Sequence, residues 1–298
     1  MAGKKLAGTA SYQLVKLVLF LTRILPVRVS YAICGFMASV GSSLNWKRKR
    51  IALNNIKIVF PEKNEKERKS IFKEFLGNML RNYFEICFIA NGKYSAEDIS
   101  GMATASGLEN LDNLKETGNG ALLFSGHFGN FPLMTLWLSI KGYPISAIYK
   151  EAANFPDDFF GNIMRKYNVT PLKYKNEASL TTGIIRSLKE KKIVLIQNDQ
   201  SHPSGIYINF FGKYVPTPTG PAILSRRVGV PIIPAYIYRD KNNHHYISVQ
   251  PEIPLREASG TEEFIELNTQ IQSDWIADIV LKHPTEWLWL HNRWKRAR

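Results

Sequence analysis

The 298-residue sequence predicts an α/β fold with a mixed, largely parallel sheet flanked by helices, preceded by an N-terminal helical region. From about residue 105 onward, short apolar runs alternate with amphipathic stretches, which is typical of parallel strands joined by crossover helices. The predicted strands are residues 121–124, 145–149, 170–174, 193–197, 232–238 and 246–249. The predicted helices are residues 133–140, 157–167, 180–189, 220–228 and 261–281, together with residues 54–92, where apolar positions recur at helical spacing around a break at 60–62.

The most apolar part of the chain is residues 11–44. A membrane-spanning helix needs about 20 predominantly apolar residues, but Lys16 and Arg23 interrupt the first run, and serine and glycine dilute the second. Lys16 also argues against a signal peptide. We interpret residues 1–45 as one or two helices that lie in a membrane surface, supported by the basic residues 47–50. Helices packed on the protein body are the alternative, and residues 46–298 form the predicted α/β domain.

The chain carries 39 Lys and Arg against 25 Asp and Glu, a formal net charge of +14. This excess predicts an anionic partner, which would be nucleic acid, an anionic membrane surface or an acidic carrier protein. No zinc knuckle, helix-turn-helix pattern or RNA-binding signature is present in the sequence, so we do not expect nucleic acid binding. Cys34 and Cys87 stand alone in apolar surroundings and predict small core residues. No cysteine or histidine cluster has metal-ligand spacing, so no metal is expected.

His127 is the candidate catalytic base. It follows a predicted strand, lies between Gly126 and Gly129, and precedes a predicted helix. Ligands of open α/β sheets bind at this carboxyl edge. Asn130 is suited to cap the helix, whose backbone N–H groups would then face an oxyanion near the histidine. A lone histidine is more often structural, and His202 is the rival candidate for the base.

Two further stretches follow or precede predicted elements at the same edge. Asp199 comes just after the strand at 193–197. Thr217 and Thr219 precede the helix at 220–228, whose amino end is suited to a phosphate or carboxylate. A simply capped helix is the alternative interpretation of these threonines.

These stretches, in this order, resemble the bacterial lipid A biosynthesis acyltransferases, within the wider lysophospholipid acyltransferase superfamily. The corresponding segments are residues 54–62, the histidine motif 126–130, Asp199 with Gln200, residues 210–212, Thr217, the strand at 229–234 with Arg239, and the closing segment 289–294. The resemblance therefore runs over most of the chain, and its motifs are specific because they occur in register.

The resemblance implies a glycerolipid-acyltransferase-like fold and transfer of a fatty acyl chain to a lipid acceptor, such as a lipid A precursor or a lysolipid. The donor would be a thioester of acyl-carrier protein or coenzyme A, which is a co-substrate, so no cofactor is expected. The reaction would take place at the cytoplasmic face of the cell inner membrane, with a peripheral or monotopic enzyme. His127 would act as general base, a role that typically contributes about 10²–10⁴-fold to the rate.

Several cations and polar residues are predicted to bind substrate. Arg165 aligns with a functionally important arginine of the family. The other candidates for substrate binding are Arg239, Asn130, Lys213 and Thr219, with Arg226 given less weight.

The chain departs from the family at Pro132, where the histidine motif carries Asp or Glu. Three explanations stay open. Asp199, or else Glu151, replaces the missing carboxylate and contacts His127. A backbone carbonyl instead orients a slow base, or the protein is a catalytically impaired relative that binds lipid or acyl carrier.

Overall fold

The structure is a computed structural model that describes residues 2–151 and 155–298, with side chains from residue 12 onward except those of residues 115–117. The helices are α1 (Ala2–Ile24), α2 (Val27–Ser43), α3 (Lys47–Val59), α4 (Glu65–Ala90), α5 (Ala96–Gly101), α6 (Glu109–Thr117), α7 (Phe131–Ile140), α8 (Phe159–Lys166), α9 (Glu177–Lys189), α10 (Gly220–Val228) and α11 (Thr261–Lys282). The strands are β1 (Ala103–Ser106), β2 (Ala121–Ser125), β3 (Ile145–Tyr149), β4 (Thr170–Lys173), β5 (Ile193–Gln197), β6 (Ile206–Phe210), β7 (Lys213–Thr217), β8 (Ile232–Arg239) and β9 (His245–Val249).

Seven strands form one sheet in the order β1-β9-β8-β2-β5-β3-β4, and β6 and β7 form a separate hairpin. Within the large sheet β8 and β9 pair antiparallel, whereas the other neighbours pair parallel. The prediction of a mixed, largely parallel sheet flanked by helices is therefore confirmed. The six predicted strands agree with observed strands to within one residue at each end.

Alternate residues of the central strands pack into two apolar layers, one on each face of the sheet. Leu122 and Phe124 of β2 belong to the first layer, with residues of α3, α9, α10, α11 and the C-terminal tail. Ala121 and Leu123 belong to the second, with residues of α5, α7 and α8. A parallel sheet covered on both faces needs continuous apolar strands, and all five residues of β2 are buried.

The long helix α4 contributes to both layers. Its first half, including Phe72, packs in the first layer, and its last half, including Ile89, packs in the second. Asn64 and Glu67 form a reciprocal capping box at its start, which satisfies backbone N–H groups that the helix leaves unpaired. This helix therefore reaches both faces of the sheet and provides a wall for the site described below.

Three strands and two short helices are absent from the sequence-based expectation. The strand β1 has the sequence Ala-Thr-Ala-Ser, which is too short and too weakly apolar to show a strand period. The hairpin strands β6 and β7 lie among glycine and proline residues, including Pro216 within β7, which predict turns. The helices α5 and α6 are only 6 and 9 residues long, so they show little periodicity.

The N-terminal helices α1 and α2 pack against α4. The predicted region 1–45 lies within the described residues except for residue 1 and the side chains of residues 2–11. Both helices also expose large apolar side chains, as does Leu44 just after α2; those on the helices are Leu14, Leu17, Phe20, Ile24, Val29, Phe36, Met37 and Val40. Over the described chain, no helix taken singly has the length and composition to cross a bilayer, although α2 and α3, bent by 83° at their junction, meet those criteria together.

Candidate active site

Three neighbouring parallel strands bring the candidate residues to one edge of the sheet. The strand β2 pairs with β5, so that Ser125 lies opposite Gln197, and β5 pairs with β3. His127 follows β2 and Asp199 follows β5. Because the carboxyl ends of parallel strands meet at the same edge, residues 72 positions apart in the chain become neighbours.

His127 and Asp199 are joined by two hydrogen bonds. The ring Nδ1 lies 2.7 Å from Oδ1 of Asp199, and the backbone N–H of His127 donates to Oδ2 at 3.1 Å. An ionised carboxylate only accepts, so Nδ1 carries a proton, and in the neutral ring Nε2 keeps its lone pair. This is the tautomer that a general base needs.

The C-terminal tail completes this arrangement. Trp287 donates from Nε1 to Oδ2 of Asp199 at 2.8 Å. On either side of Trp287, the N–H of Leu288 donates to the carbonyl of His127, and the carbonyl of Glu286 accepts from Gly129. The tail therefore pairs with residues 127–129 through a short antiparallel β-bridge between Phe128 and Trp287. Sequence reasoning did not assign Trp287 to the site, although the tryptophan-rich tail was the signal that could have found it.

The turn after His127 requires glycine at position 129. Its φ is +48°, and a Cβ built there would lie 2.4 Å from the carbonyl oxygen of Ile237. A side chain is therefore excluded both by the backbone conformation and by the neighbouring strand. The turn holds His127 close to the sheet edge.

Asp199 and His127 each favour the charged form of the other. Burial alone would raise the pKa of Asp199, but its contacts with His127 and Trp287 lower it to about 2. Burial alone would lower the pKa of His127, but the charge and hydrogen bond of Asp199 outweigh it, so the pKa is raised above its ordinary value. The carboxylate is thus ionised at neutral pH and favours a proton on the imidazole.

Asn130 links the histidine turn to a buried ionic cluster. Its Oδ1 caps α7 by accepting from the N–H of Leu133, and its Nδ2 donates to Glu85 at 2.8 Å. Glu85 also accepts from Tyr31, from Arg239 through two nitrogens and from His245. The Asn130 side chain is fully buried, but the residue lines the candidate cavity.

Arg239 occupies a different place from the one predicted. Its guanidinium is buried, and its Nη atoms bond Glu85 and Asn82 at 2.7 Å. It does not line the cavity beside His127. The prediction that Arg239 binds substrate is corrected by this geometry, because the charge is already neutralised within the protein. Arg239 instead ties β8 to α4.

The other sequence candidates lie apart from His127. Glu151 pairs with Lys173 and accepts from the N–H of Asp158, so it is not the replacement carboxylate. Arg165 is half-exposed, pairs with Asp158 and does not line the cavity, although its neighbour Met164 does. These residues form a rim of ion pairs beside the site.

Lys213 lies exposed at the start of β7 in the hairpin, away from the cavity lining. Thr219 precedes α10 without a capping side-chain hydrogen bond. Asn198 donates to the carbonyl of Pro218, which ties the start of α10 to the segment that carries Asp199. His202 is half-exposed, bonds Ser204 and lies near Glu177, so it does not share the arrangement of His127.

A cavity of about 330 Å³ opens beside His127. One stripe of α4 lines it at helical spacing, from Phe75 and Asn78 to Ile86 and Cys87. Its other lining residues include Pro132, Lys150, Phe160, Met164, Leu195, Gln197 and Glu286. The volume is in the range of small-molecule sites, and the lining is mainly apolar with a few polar groups. Within the described part of the chain, no group of three or more His, Cys, Asp or Glu residues is arranged to hold a metal ion.

Comparison with known proteins gives related sequences over most of the chain. The family model described as "Bacterial lipid A biosynthesis acyltransferase" matches residues 4–296. The lipid A biosynthesis lauroyltransferase of Escherichia coli K12 is 25% identical over 294 residues, which cover 93% of this chain and 89% of that protein. The phosphatidylinositol mannoside acyltransferase of Mycobacterium tuberculosis (strain CDC 1551 / Oshkosh) is 23% identical over 193 residues.

The latter match covers 63% of this chain and 58% of the mycobacterial protein, so the chain spans less than two thirds of that relative. Among solved structures, the 1-acyl-sn-glycerophosphate acyltransferase PlsC of Thermotoga maritima matches with a TM-score of 0.39 and 13% identity. That match covers 90% of this chain and 97% of the PlsC chain.

Proposed function

The chain belongs to the bacterial lipid A biosynthesis acyltransferase family, and we propose that it transfers a fatty acyl chain from a thioester to a hydroxyl group of a lipid. The single observation that carries this proposal is the His127–Asp199 pair beside a mainly apolar cavity. The donor is an acyl thioester of acyl-carrier protein or coenzyme A. The acceptor is a lipid such as a lipid A precursor or a lysolipid.

In this mechanism Nε2 of His127 removes the proton of the acceptor hydroxyl as its oxygen attacks the thioester carbonyl. A tetrahedral oxyanion forms near the first turn of α7, which begins four residues after His127, and the partial positive charge of that helix end favours the negative oxygen. The C–S bond then breaks, the ester forms, and the thiolate takes the proton from the imidazolium. Asp199 orients the ring and stabilises the imidazolium, as the aspartate of a serine-protease triad does.

The apolar part of the cavity suits the acyl chain. Ile86 and Cys87 of α4, Met164 of α8 and Leu195 of β5 line it. Burying a methylene group contributes about 0.8 kcal/mol, so such a wall binds an alkyl chain without a specific polar contact. The thioester carbon then lies at the His127 end.

Attachment to a membrane surface is the second part of the proposal. Exposed apolar side chains on α1 and α2, including Phe20 and Phe36, precede the basic residues 47–50. Apolar side chains and neighbouring cations together favour an anionic membrane interface. We place the protein on the cytoplasmic face of the inner membrane, where a soluble acyl carrier and a lipid acceptor are both within reach.

The function is tested by transfer of a radiolabelled acyl chain from acyl-carrier protein, or from coenzyme A, to lipids extracted from a deletion strain. We expect His127→Ala to abolish transfer, whereas His202→Ala retains it because that side chain is half-exposed, bonds Ser204 and does not line the cavity. Transfer at the wild-type rate by His127→Ala would contradict the mechanism. Mass spectrometry of the labelled product identifies the acceptor, and the two donor reactions identify the carrier.

A catalytically impaired lipid- or carrier-binding relative is the alternative, because Pro132 replaces the family's carboxylate. The substitution Pro132→Glu distinguishes an active transferase from an impaired relative. The contact of Asp199 with His127 supports the active form, so we expect this substitution to leave activity unchanged or to lower it. A large gain in activity would favour the impaired relative.

A further inference from the structure

We propose that Lys150 is a substrate-binding residue whose ammonium group binds a phosphate of the lipid acceptor. The inference rests on the proposed acyl transfer and narrows its acceptor to phosphate-bearing lipids. It follows from the position of Lys150 in the sheet, from its place in the cavity and from the pairing of the charges around it.

Lys150 follows β3 directly, at the same carboxyl edge as the His127 turn. The strand β5 lies between β3 and β2. Neighbouring strands are about 4.8 Å apart, so the backbone of Lys150 lies roughly 10 Å from the backbone at the start of the His127 turn. Both residues line one cavity.

Lys150 is the only lysine or arginine among the described residues that line this cavity. Nearby cations are already neutralised, since Lys173 pairs with Glu151 and Arg165 pairs with Asp158. Lys150 makes no ion pair with a carboxylate in the described part of the chain, and its Nζ lies 5.6 Å from the ring centroid of Tyr174. Its positive charge is therefore available to a ligand, and the aromatic face helps to hold the ammonium in place.

The carboxyl group of the cavity lining does not cancel this charge. Glu286, in the C-terminal tail beside the His127 turn, accepts a hydrogen bond from Asn78 at 2.7 Å. Burial, together with Glu74 and Glu85, raises the pKa of Glu286 to about 8 despite the opposing charge of Arg239. The group is mostly uncharged at neutral pH. A bound anion beside Lys150 would thus meet little repulsion from it.

The chemistry and the distance both indicate an acceptor phosphate. A lysine ammonium is a compact point charge that binds phosphate without the planar fork that arginine provides. The backbone of Lys150 lies roughly 10 Å from the His127 turn, so a phosphate at its ammonium group and a hydroxyl at His127 fit one acceptor molecule of comparable length. A phosphopantetheine arm also ends in a phosphate, but when extended it is longer than this gap. The acceptor is therefore the better source.

The test compares Lys150→Met with Lys150→Arg and with Lys175→Met, a control at a nearby exposed lysine outside the cavity lining. Extracted lipids from the deletion strain are separated into phosphate-bearing and neutral fractions, and each is acylated with lauroyl-coenzyme A and with lauroyl-pantetheine, which has no phosphate. We expect Lys150→Met to raise KM for the phosphate-bearing acceptor about tenfold with either donor. Lys150→Arg and Lys175→Met should stay within about twofold of the wild type.

Each other outcome overturns the inference in a recognisable way. Equal KM values for Lys150→Met and Lys175→Met would remove the role of Lys150. A loss seen only with lauroyl-coenzyme A would assign the phosphate to the donor instead. Wild-type acylation of neutral lipids alone would overturn this inference and leave the proposed function standing, whereas no transfer by the wild type would overturn both.

Discussion

Asp199 holds His127 by both of its carboxylate oxygens, and Trp287 holds Asp199 in turn. Pro132, which occupies the motif position of the family's carboxylate, lies in the first turn of α7, where proline is well tolerated. The orienting group therefore comes from a neighbouring strand rather than from the helix that follows the histidine. This arrangement allows His127 to keep the tautomer that the proposed base requires, although the motif carboxylate is absent.

We expect Asp199→Asn to lower kcat by about 10³–10⁴-fold, on the scale of the corresponding change in a serine-protease triad. Asn lacks the negative charge that stabilises the imidazolium. The acid limb of the rate profile should move to lower pH, because Asp199 raises the pKa of His127 and the base works when unprotonated. Rates between pH 5 and 9 measure both effects. Glu151→Gln is the control, and a loss as large as that of Asp199→Asn would contradict the assignment.

Glu286 provides a test of stability against pH. Its pKa is raised to about 8, first by burial, so the ionised form is less favourable in the folded state than in the unfolded chain. The wild type should therefore lose stability as pH rises from about 4.3, the usual value for glutamate, to about 8. Glu286→Gln cannot ionise. We expect its Tm to exceed that of the wild type at pH 8, with a difference that shrinks toward pH 4.5.

Thermal unfolding monitored by circular dichroism at three or four pH values measures this difference. A pH-independent gap between the two proteins would show that the substitution acts through packing and not through ionisation. Asn78 donates to Glu286 in the folded protein, and the glutamine carbonyl can still accept that bond. The difference in Tm between the wild type and Glu286→Gln therefore reports the ionisation of Glu286.

At the level of elements, α4 connects the N-terminal helices, the cavity and the sheet. Asn78, Ile86 and Cys87 face the cavity, while Glu85, fully buried on the same helix, accepts hydrogen bonds from β8, β9, α2 and the α7 cap. Burial alone would raise the pKa of Glu85, but His245 and Arg239 keep it far below its usual range. The cluster thus fixes α4 relative to the turn that carries His127.

We expect Glu85→Ala to destabilise the protein by about 3–5 kcal/mol, because it leaves the guanidinium of Arg239 buried without its carboxylate. Equilibrium unfolding in urea measures the loss. Glu74→Gln, at an exposed position on the same helix, should change stability by less than about 0.5 kcal/mol. A loss of under 1 kcal/mol for Glu85→Ala would mean that water or other groups replace its contacts.

At the scale of the whole molecule, the net charge of +14 and the apolar surface of α1 and α2 would act together in the proposed binding to a membrane. The exposed apolar residues lie on helices that pack against α4, which also lines the cavity. Binding of these helices to a membrane would therefore bring the cavity close to lipid acceptors. Long-range charge attraction to anionic lipid would act before the apolar contacts form.

We expect Phe36→Glu to lower partitioning onto vesicles of phosphatidylglycerol and phosphatidylethanolamine by at least about tenfold. The Phe36 side chain is 70% exposed in the protein, so its burial in lipid contributes about 1.5–3 kcal/mol. Sedimentation with vesicles measures the bound fraction. Thr182→Glu, which adds the same charge at an exposed site on α9, should have a much smaller effect, and equal losses would show that net charge alone governs binding.

The sequence by itself determined the alternation of strands and helices and the position of His127 in a turn after a strand. These features depend on apolar period and on glycine and proline, which act over a few residues. The family could be inferred from the resemblance but not from periodicity, because several motifs occur in the same order along the chain. Asp199 was a candidate because it follows a second predicted strand.

Only the tertiary structure decided which carboxylate reaches His127 and which cation of the cavity lining is left without an ion pair. Asp199 is 72 residues from His127, Trp287 is 88 residues from Asp199, and Glu85 is 154 residues from Arg239. Contacts at such separations depend on strand order and on how the tail crosses the sheet edge, which no local pattern encodes. For the same reason Arg239 was predicted to bind substrate, whereas the fold buries it against Glu85 and leaves Lys150 as the unpaired cation among the described residues of the cavity.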